Sequence, residues 1–592
     1  MSESAQDSSA ESKVNTTNAF ALPTKTIAWI AFLGLVIFLA RFFQSWLDDQ
    51  FGIGLDVINV VCYVLMLVIW ISMLVHFSFF SKTGMAVRLG SLLLLIALPL
   101  FFVFALRPVL NGNVGIARFE PIWQKARSQV ATPATNEGVD LGVESEFDFP
   151  RFLGTSQNAW VENPLLLASE SFSSAENVWR QPIGEGWSGF AARNGFAVTM
   201  EQRGELECVT CYDIMNGKLQ WIHEHEARHL DRMRVGGIGP RATPTIDEGR
   251  VYSMGAIGHF VCLDGASGEV IWTVDMNELL GIELCENVKD DGFEVFHETN
   301  TSLDWGRSGS PLIVGDKVIV AGGGPGSDVA DLADPEDVAA ATLIAFNKHT
   351  GEEVWRSGNE PIAYGSPTLV NVSTVSQVLL VAESLAMGFD PQTGEVLWEH
   401  PREGTSDAAA NCSQVTVVSD KHILTSKGYS DGGGELIALE IEQGKLVPKS
   451  VWSSPRVLKT KFTNPIIIDG HSYSISNSYL ECVDLTNGKR IWKHRKLMGN
   501  GQVLKSGNHL LVHSEKGVLH LVDPTPEGYR ELGSFPTVKG VCWNTLCVYG
   551  PYLLVRSELE AACFKLPLAN ENGVSQPVLS FDDEKKSETV AE

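Results

Sequence analysis

The segment CYDIMNGKLQW at residues 211–221 returns as CLDGASGEVIW at residues 262–272. Further copies are AFNKHTGEEVW at 345–355, GFDPQTGEVLW at 388–398 and CVDLTNGKRIW at 482–492, with a stretched copy, ALEIEQGKLVPKSVW, at 438–452 and degenerate copies at 521–531 and from 563 onward. Most successive tryptophans lie about 40 to 55 residues apart, between short β-branched segments. A repeat of that length in an all-β chain predicts the blades of a propeller.

Each copy has the chemistry of a turn between two strands. The Asp ends one strand and can cap the turn with its carboxylate. The Gly supplies a positive φ, which costs energy for any residue with a Cβ. The Trp ring is expected to pack between blades, with its N–H on a polar group. The residues predicted to form this structural repeat are Asp213, Gly217, Trp221, Asp264, Gly268, Trp272, Gly351, Trp355, Asp390, Gly394, Trp398, Trp452, Asp484, Gly488 and Trp492.

A small residue begins each copy and is expected to fill a tightly packed site. These residues are Cys211, Cys262, Ala345, Gly388, Ala438 and Cys482. The cysteines among them are therefore expected to be core residues rather than ligands. Cys208 and Cys211 form a CxxC pair, but positions i and i+3 of a strand point to opposite faces. This geometry disfavours a redox or metal site.

The number of copies predicts an eight-bladed propeller, with seven blades as the alternative. Seven copies extend through residues 521–531, and the copy that starts at Cys563 has no Trp strand after it. The segment NVWR at residues 177–180 resembles the missing strand, so the N-terminal end is expected to close the ring. The blade between Trp272 and Trp355 carries two acidic insertions, roughly 277–304 and 325–340.

Three apolar stretches precede the repeats, at roughly 26–46, 55–80 and 87–106. Each has about 20 residues or more, the length that a helix needs to cross a bilayer. The predicted order is a disordered N-terminal tail (1–25), three transmembrane helices (26–107), a linker (108–148), the propeller (149–567) and a disordered acidic C-terminal tail (568–592).

The distribution of basic residues predicts the orientation in the membrane. The N-terminal tail and the second loop carry Lys13, Lys25, Lys82 and Arg88, whereas the first loop carries no Lys or Arg. This pattern places the tail and the second loop in the cytoplasm. Three spans then place the propeller on the periplasmic, non-cytoplasmic side of an inner (cytoplasmic) membrane. Basic residues after the third stretch favour the opposite orientation, but large domains translocate largely regardless of charge.

Composition limits the classes of partner. The formal net charge of -26 argues against nucleic acid, because phosphate binding needs a basic surface. No protein-kinase signature is present in the sequence, and no paired carboxylates can be assigned catalytic roles. We therefore predict no catalytic and no cofactor-binding residues.

One histidine cluster is a weak candidate for a metal site. His223, His225 and His229 follow a motif Trp, and imidazoles at such spacing can hold zinc or copper. A solvated loop or edge strand is the favoured interpretation. The acidic run at 328–337 lacks the ligand spacing of a calcium loop, and the Gly-rich run at 322–327 lacks the Lys-Ser/Thr of a phosphate loop.

The repeat and its flanking tracts resemble a known family. The D-x-x-[TN]-G-x-x-x-W copies are similar to the pyrroloquinoline-quinone (PQQ) type propeller repeat. The tracts NVWRQPIGEGWSG (177–189), SLDWGRSGSPLIVGDKVIVAGGG (302–324) and GYRELGSFPTVKGVCWN (528–544) resemble those of BamB-like propellers. The resemblance covers residues 149–567 and implies the propeller fold.

The resemblance implies two functions, because two subgroups share this repeat. Quinoprotein dehydrogenases bind PQQ and calcium and cover the cofactor with a ring formed by two adjacent, disulfide-linked cysteines. BamB-like proteins bind neither and act as protein-interaction scaffolds. This sequence has no adjacent cysteines. We therefore expect a membrane-anchored, non-enzymatic scaffold without cofactor that holds a protein or envelope polymer. The alternative is a membrane-bound quinoprotein oxidoreductase with PQQ and calcium.

Overall fold

The computed structural model describes residues 24–81, 84–123, 138–162, 164–230, 236–284, 288–290, 293–295, 303–323, 341–405, 410–430 and 432–569. The chain divides into two units, Met1–Gln124 and Lys125–Glu592. The predicted tails at 1–25 and 568–592 and the second insertion at 325–340 lie almost entirely outside the described residues. The acidic run at 328–337 lies wholly outside them.

The first unit consists of helices and one hairpin. Its helices are α1 (Thr24–Phe42), α2 (Gln44–Phe51), α3 (Leu55–Val75, continued by a π-helix at His76–Phe80) and α4 (Met85–Ala105). Three helical segments, Thr24–Phe42, Leu55–Phe80 and Met85–Ala105, are long and apolar enough to cross a membrane. The prediction of three apolar spans is confirmed.

A β-hairpin follows α4 directly, formed by Leu106–Leu110 and Ile116–Pro121. Two polar side chains of α3 bind its turn. Asn59 Nδ2 donates to the carbonyl of Asn113 at 2.7 Å, and Tyr63 Oη donates to that of Val114 at 3.1 Å. The predicted linker at 108–148 therefore differs from the structure, because it begins inside this hairpin.

The second unit contains eight four-stranded antiparallel sheets, so the eight-bladed prediction is confirmed. We name the strands of each blade A to D from the axis outward, because the first strands of neighbouring blades contact one another. The strands are Ala191–Arg193, Phe196–Arg203, Leu206–Asp213 and Leu219–Glu226 (blade 1); Thr245–Asp247, Arg250–Met254, His259–Asp264 and Val270–Asp275 (blade 2); Leu312–Val314, Lys317–Gly323, Ala341–Asn347 and Glu353–Ser357 (blade 3); Thr368–Val372, Val375–Val381, Leu385–Phe389 and Val396–Pro401 (blade 4); Thr416–Ser419, His422–Lys427, Gly433–Glu442 and Lys445–Ser454 (blade 5); Ile466–Ile468, His471–Ser476, Tyr479–Asp484 and Lys489–Lys493 (blade 6); Gln502–Ser506, His509–His513, Val518–Asp523 and Arg530–Pro536 (blade 7); Cys547–Tyr549, Tyr552–Arg556, Glu560–Lys565 and Glu176–Pro182 (blade 8).

Smaller elements lie between the blades. A 3-10 helix, Ser169–Ser174, precedes the closing strand. The first insertion of blade 3 contains the short helix α5 (Met276–Leu280) and a two-stranded sheet of Val288–Asp290 and Phe293–Val295.

The N-terminal strand closes the ring as predicted. Strand Glu176–Pro182 pairs antiparallel with Glu560–Lys565 and places Trp179 opposite Cys563. Blade 8 thereby gains the outer strand and the Trp that its own end of the chain lacks. The two ends of the propeller sequence are held together by backbone hydrogen bonds.

The motif Trp of one blade packs on the motif Gly of the next blade. Gly268 has a φ of 76°, and a Cβ built there would lie 2.6 Å from Cε3 of Trp221 in blade 1. Trp221 Nε1 donates to the carbonyl of Gly265 at 2.9 Å, so the ring is held by blade 2 at two points. The other Gly–Trp pairs are Gly217–Trp179, Gly351–Trp272, Gly394–Trp355 and Gly488–Trp452. The glycine is therefore needed both for the turn and for contact with the ring.

In six blades the small residue of the motif lies directly across from the Trp of its own blade. The pairs are Cys211–Trp221, Cys262–Trp272, Ala345–Trp355, Gly388–Trp398, Cys482–Trp492 and Cys563–Trp179. The cysteines among them are fully buried and form no disulfide. The prediction that they are core residues is confirmed. A large side chain there would compete with the indole ring for space.

The stretched copy in blade 5 departs from the prediction. Trp452 lies opposite Leu436, whereas Ala438 lies opposite Lys449. Strands C and D of this blade have ten residues each, so the hairpin extends beyond the others and shifts the register. Its glycine, Gly444, has nothing near its Cβ position. Trp398 of blade 4 accordingly donates to Gln377 of its own blade.

We expect the substitution Trp272→Ala to lower the free energy of unfolding by about 3–5 kcal/mol, because it opens a cavity between blades 2 and 3. Thermal and urea unfolding of the purified full-length protein would measure the loss. Ile271→Ala is the matched control, because Ile271 is the preceding residue of the same strand and is 41% exposed. Equal effects of the two substitutions would contradict the role given to the ring.

Candidate functional site

The strand order gives the central channel two different ends. In every blade, the connections into strand A and the loops between strands B and C lie at one end, which we call the loop end. The A–B and C–D turns, including the Asp–Gly turns of the motif, lie at the other end, which we call the turn end. Ligand sites of propellers are built from such connections, because the strands themselves form the rigid frame.

Residues 139–162, which we call the strap, enter the channel from the turn end. Phe149 pairs with Ala192 of blade 1, and Trp160 pairs with Lys505 of blade 7. Between them, Gln157 Nε2 donates to the carbonyl of Pro367, one residue before strand A of blade 4, at 3.2 Å. The strap therefore joins blades that are far apart in sequence, and it occupies part of the channel.

A buried ion pair anchors the beginning of the strap. Arg193 Nε donates to Asp148 Oδ2 at 2.8 Å, with side chains that are 6% and 8% exposed. Leu141 is also buried, against the core between blades 1 and 2. The last residues of the predicted linker thus belong to the propeller. Moving Asp148 away would leave the charge of Arg193 buried without its partner, which is unfavourable. The ion pair therefore holds the strap against blade 1.

A cavity of about 290 Å³ lies between the strap and strands A of blades 4, 5 and 6. The residues that line it are Leu153, Ser156, Gln157, Asn158, Trp160, Thr368, Val370, Asn371, Gln414, Val415, Thr416, Val417, Asn464, Pro465 and Ile467. Eight of these fifteen side chains carry an amide or a hydroxyl, and none carries a charge. The cavity can therefore offer hydrogen bonds to an uncharged ligand.

Six aromatic rings form an arc at the loop end. Consecutive ring centroids are 4.3, 4.7, 6.4, 5.4 and 5.2 Å apart along the series Trp187, Trp543, Phe462, Tyr429, Trp305 and Tyr364. Five of these residues precede a strand A, and Tyr429 lies in the B–C loop of blade 5. Ring pairs at such distances attract each other and exclude water. The arc therefore packs the loop end of the channel with side chains of the protein itself.

Buried charged groups hold the loop end together where the ring closes. Arg556 of blade 8 donates to Thr199 Oγ1 at 2.8 Å and to the carbonyl of Gly184 at 2.9 Å. Burial lowers the pKa of Arg556 to about 10. Burial would raise the pKa of Glu201, but Arg203 and Arg556 lower it, so this carboxylate remains charged among its partners. These hydrogen bonds tie blade 8 to blade 1 at the point where the ring closes.

The predicted histidine candidates do not form one cluster. His223 and His225 lie on strand D of blade 1, where the ring of His225 stacks on that of His259 of blade 2 at 3.7 Å. The His223 ring lies 6.1 Å from that of His259, and we call these three residues the histidine stack. His229 lies elsewhere, buried beside Gly306. Among the described residues, no three His, Cys, Asp or Glu side chains form a group that could hold a metal ion.

The histidine stack is neutral near pH 7. Burial, followed by the neighbouring His225 and His223, lowers the pKa of His259 to about 4. Burial also lowers the pKa of His223 and of His225. The sequence could not indicate His259, because this residue approaches the other two only when blades 1 and 2 pack side by side.

Comparison with known proteins places the propeller in a family. Residues 174–494, more than half of the chain, match the model of the family described as outer membrane protein assembly factor BamB. The chain belongs to this family. The match starts at the closing strand of blade 8 and extends through blade 6, so it includes the regular copies of the motif. The resemblance inferred from the sequence is confirmed.

Individual relatives come from both subgroups. The chain is 24% identical over 318 residues to the BamB of Shewanella oneidensis, covering 49% of this chain and 75% of that protein. It is 25% identical over 356 residues to a quinoprotein ethanol dehydrogenase of Pseudomonas putida, covering 52% of this chain but only 50% of the dehydrogenase. Sequence identity at this level does not separate the two functions.

A solved structure shows the same fold. The quinohemoprotein alcohol dehydrogenase ADHIIG of Pseudomonas putida HK5 superposes with a TM-score of 0.50 at 12% identity, covering 74% of this chain and 84% of the dehydrogenase. This similarity concerns the propeller frame alone. The function of this protein therefore has to be inferred from the residues in its channel, because the fold is shared by proteins of different function.

We expect acid to destabilise the propeller through the histidine stack. The pKa of His259 is about 4 in the folded chain and about 6.5 when unfolded. The unfolded chain therefore takes up the proton first, and stability is lost as the pH falls from about 6.5 towards 4. With partial solvent screening the loss is on the order of 2 kcal/mol.

Urea unfolding at pH 7 and pH 5 would measure this loss in the native protein and in His259→Gln. The substituted protein should lose less stability between the two pH values. His349→Gln changes a histidine that is 41% exposed on blade 3 and serves as the control. An unchanged acid loss in His259→Gln would show that the stack is not its source.

Proposed function

We propose that this protein is a non-enzymatic, BamB-like interaction scaffold, held at the membrane by its three apolar helices. The observation that carries the proposal is the packed loop end of the channel. Trp187 stacks on Trp543 at 4.3 Å, and Trp543 on Phe462 at 4.7 Å. The axis at this end holds side chains of the protein itself, which leaves the exposed loops around it to meet a partner.

The same residues fit PQQ and calcium poorly. A flat cofactor between two rings would hold them roughly 7 Å apart, twice the contact distance of carbon atoms. Calcium takes six to eight oxygen ligands, with carboxylates prominent among them, and within the described residues no three His, Cys, Asp or Glu side chains form a group that could hold a metal ion. The sequence also lacks adjacent cysteines. These features support a scaffold without PQQ and without calcium.

The alternative is a membrane-bound quinoprotein oxidoreductase. It is favoured by the similarity to quinoprotein ethanol dehydrogenase, which covers half of that enzyme. The BamB match covers three quarters of that protein, and BamB is described as an assembly factor. We give the scaffold function priority because the larger matched share of BamB and the packed axis support it together.

We expect PQQ with calcium to leave the melting temperature of the purified full-length protein unchanged, because only a ligand that binds the folded state raises it. The protein should also oxidise no alcohol or sugar in a dye-linked assay. A quinoprotein ethanol dehydrogenase treated in parallel is the positive control. A melting shift that saturates at micromolar PQQ, together with dye reduction, would replace the scaffold function with the oxidoreductase function.

The partner can be sought with a photo-crosslinking residue placed at Glu403, which is exposed near the loop end, and at Glu395, which is exposed in a motif turn. In native membranes, we expect a discrete adduct with one protein from position 403 and not from position 395. Adducts that are absent or equal at both positions would contradict a partner at the loop end.

We further propose that the propeller lies on the non-cytoplasmic side of an inner membrane, on the basis of the basic residues of the tail and the second loop. A cysteine at Glu352→Cys, exposed on blade 3, should react with a membrane-impermeant thiol reagent in cells whose outer layer has been opened. Lys82→Cys in the second loop should react only after lysis. The reverse pattern would invert the topology.

A further inference from the structure

The cavity beside the strap differs in chemistry from the rest of the molecule. Charged residues make up 20% of the chain, and the net charge is -26. None of the side chains that line the cavity is charged. The lining side chains offer an ionic ligand no counter-charge, and burying it among them would be unfavourable. The ligand class that remains is uncharged and rich in hydrogen-bonding groups.

Three buried amides are held in fixed orientations at the cavity wall. Gln414 Oε1 accepts from the backbone N–H of Ser366 at 2.7 Å, and Asn464 Oδ1 accepts from that of Gln414 at 2.7 Å. Gln157 donates through Nε2 to Pro367, as described above. The three side chains are 4%, 8% and 8% exposed for Gln414, Asn464 and Gln157. One end of each amide is therefore committed to the protein frame.

The other ends of these amides are available to a ligand. Gln157 Oε1, Gln414 Nε2 and Asn464 Nδ2 meet no hydrogen-bond partner within the described parts of the chain. They supply one acceptor and two donors at a wall that the frame keeps in place. Buried polar atoms require partners, and a site whose groups are already oriented binds without a large ordering cost.

Trp160 adds an aromatic surface to the same cavity. It lines the wall, and Lys505 Nζ lies 4.2 Å from its ring centroid. The backbone N–H of Trp160 donates to Asn158 Oδ1 at 3.0 Å, which holds this part of the strap. An aromatic ring packs well against the C–H face of a sugar ring, while amides bind its hydroxyls. A hydroxyl both donates and accepts, so it suits Gln157 Oε1 as well as Gln414 Nε2.

We infer that this cavity binds a neutral saccharide of one or two rings, such as a unit of an uncharged envelope polymer. Its volume of about 290 Å³ lies at the lower end of ligand pockets, which suits a small ligand. The inference does not depend on the proposed scaffold function, because none of the six rings of the arc lines the cavity. A protein partner could be absent and the sugar site still be present, or the reverse.

Two substitutions test the site without removing its frame. Asn371 lines the cavity, is exposed, and makes no side-chain hydrogen bond within the described residues, so Asn371→Leu removes a polar arm only. Gln414→Glu keeps the oxygen that binds Ser366 and replaces the free donor by an acceptor. Asn359→Leu, at an exposed asparagine outside the cavity, is the matched control. Melting temperatures show whether each variant is folded.

Binding to the full-length protein in detergent can be followed by saturation-transfer NMR and calorimetry, with diacetylchitobiose, cellobiose and maltose as probes and glucuronic acid as the charged comparison. We expect at least one neutral disaccharide to bind and glucuronic acid not to bind. Asn371→Leu should weaken binding about five- to tenfold, the equivalent of one hydrogen bond. Gln414→Glu should abolish it, and Asn359→Leu should leave it unchanged.

Three results would overturn the inference. The first is that none of the neutral disaccharides binds at about 10 mM, the weak end of useful affinity. The second is binding that neither cavity variant changes while both remain folded, which would place the sugar elsewhere. The third is that an uncharged blocked tripeptide, acetyl-Gly-Ser-Ala-amide, binds with sensitivity to Asn371→Leu while the sugars do not. That last result would assign the cavity to an extended peptide.

Discussion

The contact between an indole ring and the glycine of the next blade is the constraint on which the propeller depends. At this point the turn requires a positive φ, the neighbouring ring requires the absence of a Cβ, and the ring's N–H requires a carbonyl in the adjacent blade. Opposite the ring, the same strand pair requires a small residue, as Cys262 shows beside Trp272. One motif therefore satisfies the hairpin, the strand pairing and the seam between blades together. The seam depends on the spacing, which explains why blade 5, with its longer hairpin, lacks the Gly contact.

The blades could be predicted from the sequence because their determinants are local. Turn, strand and Trp lie within eleven residues, so their periodicity is visible without a structure. The strap, the cavity and the histidine stack could not be predicted, because their members come from segments that meet only in the closed ring. His259 and His225 lie on different blades, and Gln157 approaches Pro367 across the channel. The arc had a signal that could have been used: Trp187, Tyr364, Phe462 and Trp543 each stand four residues before a strand A. Only the structure shows that this spacing places the four rings at the loop end of the channel.

The two ends of the channel divide the surface chemically. The loop end carries the aromatic rings and buried charged groups such as Arg556, whereas the strap enters from the turn end and leaves a small neutral cavity beside strands A of blades 4, 5 and 6. The chain has a net charge of -26, yet no Asp, Glu, Lys or Arg side chain lines this cavity. The propeller frame is common to proteins of unlike activity, so the contents of the axis distinguish one member from another.

The strand that closes the ring, Glu176–Pro182, stands at the beginning of the propeller sequence and pairs with its end at Glu560–Lys565. A ribosome makes this strand before any blade and completes its partner only after the other seven blades have emerged. Throughout that interval the strand cannot take its native place, and an unpaired strand is open to pairing with the wrong edge. The closing strand thus remains unpaired until the last blade has been synthesised.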